Sequence, residues 1–120
     1  MKVLIAVRSK VIARQLVSIL SQYEIHTCHT GKDALDLLEQ ILPDGLIIDL
    51  CLPAVNGLTV LRTSQFLPDT ILAITNLAAG HVLSEAAAAG VKDIVLLPCP
   101  MRYIADRFDA LLQNSPSLGV

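Results

Sequence analysis

A chain of 120 residues with nine Lys and Arg against eleven Asp and Glu has a formal charge of −2; that length holds one core and leaves no room for a second domain, and the basic stripe of a nucleic-acid footprint is missing. Apolar residues reach 53%, yet charges recur too often for the roughly 18 to 20 uncharged positions of a spanning helix, so no membrane segment is expected. Cys28, Cys51 and Cys99 form neither a close pair nor a metal-ligand spacing, which suits a reduced, cytoplasmic protein.

The start, Met1-Lys2-Val3-Leu4-Ile5-Ala6-Val7-Arg8, is basic and then apolar, but the apolar part is short for a signal peptide and no cleavage-like site follows. Lys2–Val7 reads as a first strand. Ser9 can cap a helix in which Val11, Ala13, Leu16, Val17 and Leu20 repeat at three and four. A weaker, more polar strand follows at Glu24–His29. Thr30 with Gly31 opens a second helix carrying Ala34, Leu35, Leu37 and Leu38. Leu46–Asp49 is the third strand, Asn56-Gly57 precedes a third helix, and Thr70–Ile74 is the fourth strand. A helix rich in small residues runs from His81 to Ala89. Asp93–Leu97 is the fifth strand, and Ile104, Phe108, Leu111 and Leu112 mark a last helix. The domain is expected over residues 1–113, with 114–120 a linker-like, frayed tail.

Regular alternation of strand and helix implies right-handed crossovers and helices on both faces of a parallel sheet. The expected class is α/β: a flavodoxin-like doubly wound (βα)5 fold with a five-stranded parallel sheet of order 2-1-3-4-5. That order makes Glu24–His29 an edge strand, which explains its polar residues Glu24, His26, Thr27 and His29. In such sheets the crevice opens beyond the carboxyl ends of strands one and three. Val7, Arg8, Ser9 and the segment Asp49 to Pro53 fall there, joined by Thr75, Asn76, Leu97 and Pro98. Asp49 ends the apolar run Leu46-Ile47-Ile48 and opens a loop marked by Pro53 and Gly57. It is the candidate functional acid. The first loop, Arg8-Ser9-Lys10-Val11, lacks the glycines and hydroxyl cluster that cradle a nucleotide or flavin phosphate, so no cofactor is expected.

Over essentially its whole length the chain resembles the receiver domain of two-component response regulators, on Leu46-Ile47-Ile48-Asp49-Leu50-Cys51-Leu52-Pro53, Asn56-Gly57, Ile74-Thr75 and Gly90-Val91. The resemblance implies that Asp49 is the phosphoacceptor and Thr75 the hydroxyl residue of the switch. It also implies that Cys51 lends a backbone carbonyl to the metal, and that Leu97-Pro98 takes the place of a Lys-Pro pair whose peptide bond is typically cis. Several positions depart from that pattern. The acidic pair that binds Mg²⁺ in the family is here Val7 and Arg8, the lysine is Leu97, and the aromatic switch residue is Ile94.

Phosphoryl transfer to a carboxylate depends on positioning and on cations that neutralise the moving charge. Asp49 beside Arg8 is a poor Mg²⁺ site, so no metal and no enzymatic activity are expected. The Arg8 guanidinium could pair with Asp49 in place of the metal; otherwise Arg8 points to solvent and backbone N–H groups hold the acid. Thr75 is explained either as a switch residue or as turn chemistry. A disulfide between Cys51 and Cys99 is conceivable if their Cα atoms approach within about 7 Å. His26, His29 and His81 read as solvated.

The function expected from the sequence is a receiver-like signalling module without standard phosphorylation, acting as an interaction or dimerisation domain; slow phosphorylation of Asp49 is the alternative. The last helix-strand-helix face is the expected homodimer surface, with Asp93, Arg102 and Arg107 as its charged contacts. A histidine kinase or an output domain would be the further partner, with no direct binding of nucleic acid or membrane.

Overall fold

Each predicted strand forms, and each is followed by a helix. The computed structural model, which describes residues 1–76 and 79–114, runs β1 (Lys2–Ala6), α1 (Lys10–Ile19), β2 (Glu24–Cys28), α2 (Gly31–Ile41), β3 (Gly45–Asp49), α3 (Gly57–Thr63), β4 (Thr70–Thr75), α4 (Gly80–Ala88), β5 (Asp93–Leu96) and α5 (Met101–Gln113). The strands pair in parallel in the order β2-β1-β3-β4-β5, as expected. Apart from residue 114, the tail expected at 114–120 lies outside the described residues.

Helix starts follow local chemistry. Ser9 accepts from the Ile12 N–H at 3.2 Å, Thr30 from Asp33 at 3.1 Å and Asn56 from Thr59 at 2.9 Å; each satisfies a donor that the first turn leaves unpaired.

The pleat divides the core into two layers, because successive strand residues point to opposite faces. Leu4, Ala6, Leu46, Ile48, Ile71 and Ala73 pack under α2, α3 and α4. Val3, Ile5, Val7, Ile47, Leu72 and Ile74 pack under α1 and α5 against Leu16, Ile104 and Phe108. The central strands β3 and β4 are buried throughout, which accounts for their unbroken apolar runs. On α1 the buried stripe is narrower than its sequence suggests. Ala13, Leu16 and Leu20 face inward, whereas Val11 is 56% and Val17 36% exposed at the stripe's margins.

Candidate phosphoacceptor crevice

β3 delivers Asp49 to the end of the sheet, with the residue only 8% exposed. Backbone donors hold it from two sides: Oδ1 accepts the Cys51 N–H at 2.8 Å and Oδ2 accepts the Arg8 N–H at 3.3 Å. The following loop is fixed in turn. The Leu50 N–H donates to the Ile74 carbonyl at 3.0 Å, the Gly57 N–H to Leu50 at 3.1 Å, and the Gly31 N–H to Pro53 at 3.0 Å. Two of these contacts require glycine. A Cβ on Gly57 would lie 2.4 Å from the Asp49 carbonyl oxygen, and one on Gly31 would lie 1.7 Å from that of Val55. Ala54, at the loop's tip, has φ 69°, an uncommon conformation for a residue with a Cβ.

The guanidinium pair between Arg8 and Asp49 is not formed. β1 turns Val7 fully into the α1/α5 layer and leaves Arg8 exposed. Arg8 reaches the acid only through its backbone, and the ion pairs among the described residues do not include it. An exposed cation gains little from approaching an acid whose oxygens already have donors.

Thr75 closes β4 fully buried. Its carbonyl accepts the Leu97 N–H at 2.8 Å, and it lines a cavity of about 330 Å³ with Leu50, Leu52, Leu58 and Val82. Leu97 is half-buried against the α1/α5 layer and Ile94 against the opposite one. The Leu97-Pro98 bond is cis. All three cysteines are free, so Cys51 and Cys99 are not linked. Burial, reinforced by the charge of Asp33, pushes the Cys28 thiol up to about 12.

His29 is not simply solvated as its edge position suggests. It is half-buried, with Nδ1 2.9 Å from the Val7 carbonyl. Register explains this, since pairing of Ala6 with Cys28 sets Val7 beside His29; strand order places β1 beside β2 but does not by itself set that register. His26 is also half-buried and contacts Glu24 at 2.9 Å.

Residues 3–109 match the family model of the response regulator receiver domain. The chain belongs to that family. The receiver is 32% identical over 96 residues to the response regulator MprA of Mycobacterium avium (strain 104), a match covering 78% of this chain and 42% of the relative. MprA of Mycobacterium tuberculosis H37Rv is likewise 32% identical, with 41% of its length covered. The receiver thus spans less than half the length of these relatives. In fold it is similar to the CheY-like receiver domain protein of Methanospirillum hungatei JF-1, with a TM-score of 0.88, 20% identity and 98% of both chains covered. The receiver domain of Francisella response regulator 1452 gives a TM-score of 0.80 at 23% identity, covering 93% of this chain and 96% of that one.

The residues of the crevice do not fit the metal that a receiver ordinarily takes. Val7 and Arg8 offer no carboxylate, and among the described residues no three His, Cys, Asp or Glu side chains gather to hold an ion. Hard cations such as Mg²⁺ require oxygen ligands in near-octahedral array, and the fixed charge of Arg8 opposes a second cation nearby.

At the other end of the receiver, Arg107 of α5 binds Asp93 of β5 at 2.5 Å within one chain. The two residues expected to pair across a dimer interface thus also pair within one chain. Arg107 also donates to the Tyr103 hydroxyl at 2.8 Å and lies 5.2 Å from its ring; the bond to Asp93 raises the guanidinium pKa further. Arg102 pairs along its own helix with Asp106 at 3.9 Å. No helix among the described residues is long and apolar enough to cross a membrane.

Proposed function

We propose that this receiver signals without Mg²⁺-dependent phosphorylation and works in the cytoplasm as an interaction module, pairing with a second copy through its α4-β5-α5 face and acting on a kinase or output partner by constitutive contact. The reading rests on the replacement of both first-strand acids, one by a fully buried Val7 and the other by an exposed cation, Arg8. A phosphoryl group arriving at Asp49 would meet no metal carboxylate and, at Leu97, no lysine. One preorganised donor is worth about 3 kcal/mol in a transition state, so loss of the metal and the lysine together would leave phosphotransfer slow. The α4-β5-α5 face is favoured by Leu96 and Tyr103, large apolar residues left 47% and 46% exposed, flanked by the charges of Lys92, Arg102 and Asp106.

The retained Asp49 and Thr75 favour a second reading, slow phosphorylation of Asp49. Intact-mass measurement after incubation with a small phosphodonor and Mg²⁺ separates the two. An unchanged mass supports the first reading; a Mg²⁺-dependent adduct absent from Asp49→Asn supports the second.

A further inference from the structure

Between α1 and the edge strand β2 lies a groove of about 410 Å³, lined by Lys10, Ala13, Arg14, Val17, Thr27 and His29. That volume lies in the range of small-molecule sites, roughly 300 to 1,000 Å³. Its chemistry is one-sided, because two basic side chains, an imidazole and a hydroxyl line it and no carboxylate does. Lys10 and Arg14 stand four residues apart on one helix, where side chains share a face and like charges repel. Neither has an ion-pair partner among the described residues. The wider segment accentuates this imbalance: residues 1 to 23 include four Lys and Arg and no Asp or Glu, in a chain whose net charge is −2.

The orientation of His29 is fixed. A carbonyl only accepts, so the 2.9 Å contact with Val7 assigns the proton to Nδ1 and leaves Nε2 as the ring's other polar atom. Ala13 and Val17 add apolar atoms to the groove's lining beside its cations.

We propose that this groove binds a small organic phosphate, with Lys10, Arg14 and the Thr27 hydroxyl holding the phosphate oxygens and the organic part lying on Ala13 and Val17. The site is separate from the Asp49 crevice and does not depend on whether that acid is ever phosphorylated.

Phenyl phosphate is the probe, titrated into the whole ¹⁵N-labelled chain at constant ionic strength set with NaCl. Amide shifts over residues 10–17 and 27–29 should saturate, with phenyl phosphate binding more tightly than inorganic phosphate. Arg14→Gln should weaken binding about tenfold or more, the loss of one charge-assisted contact, with Arg14→Lys restoring part of it and Asp49→Asn leaving it unchanged. Shifts that never saturate, equal affinity for inorganic phosphate, indifference to Arg14→Gln, or loss of binding in Asp49→Asn would each overturn the proposal. Arg14 is exposed, so its variants should fold, and amide dispersion in the same spectra verifies that they do.

Discussion

The backbone N–H of Arg8 holds Asp49 at 3.3 Å while the Arg8 side chain stays in solvent. The residue therefore secures the acid through its backbone and adds no carboxylate that could hold a cation beside it. Titration with MgCl₂, followed by calorimetry or amide shifts, should show no binding at the crevice up to millimolar concentrations. A millimolar or tighter affinity that disappears in Asp49→Asn would refute this.

Restoring phosphotransfer should need more than one change at once. Arg8→Asp and Leu97→Lys, at an exposed and a half-buried position, should together give Mg²⁺-dependent labelling of Asp49 well above either single variant, since groups that act as a unit are strongly non-additive. Robust labelling of Leu97→Lys by itself would show that the missing acids matter little.

Self-association through α4-β5-α5 should depend on Leu96 more than on Arg107. Because Arg107 and Asp93 are joined within one chain, Arg107→Glu first breaks that internal contact, and Asp93→Arg in the same chain should re-form it. Leu96→Glu sets a charge on an exposed apolar position at the end of β5 and should shift the equilibrium toward monomer. In a C2 arrangement each substitution acts twice. Sedimentation across a concentration series decides the matter, and a wild-type protein that stays monomeric throughout ends the proposal.

Gly31→Ala should destabilise the fold by about 2 to 3 kcal/mol, within the range for forced overpacking, because a Cβ there would run into the Val55 carbonyl. The denaturant midpoint should fall with little change in slope. Equal stability would mean that the loop after Asp49 yields more readily than its hydrogen bonds imply.

Cys28 gives a pH dependence of known sign. Its folded thiol titrates at about 12 against an ordinary value of 9.0, so between those values the unfolded chain releases the proton and the folded one retains it. The contribution is whole below pH 9 and is lost as pH rises toward 12. The stability difference between wild type and Cys28→Ala should therefore shrink over that interval. A constant difference would place the thiol in a more hydrated setting.

Strand positions, the first three helix caps and the placement of Asp49 were legible because they rest on local signals: unbroken apolar runs, period-3.6 patterns, Ser, Thr or Asn before each of the first three helices, and an acid ending an apolar run; the strand order followed from the doubly wound fold that this alternation fits. What was not legible depends on side-chain direction or distant pairing. Arg8 was correctly placed beside Asp49, but nothing in the sequence told whether guanidinium or backbone would make the contact. Asp93 and Arg107 were rightly associated, yet the fourteen-residue separation hides that α5 folds back over β5 and joins them internally. The groove on α1 did leave a trace, a stretch of cations without acids, diluted by a near-neutral total.

Val7 and Arg8 occupy equivalent places in the family pattern but opposite environments. Position 8 faces water, so an acid could return there with little effect on folding. Position 7 is fully enclosed among Val3, Ile5 and Leu16, where a solitary carboxylate would cost several kcal/mol, a large share of the stability of a domain this size. The fold as it stands could thus accept an acid at position 8, whereas at position 7 it would first have to open that part of the core to solvent.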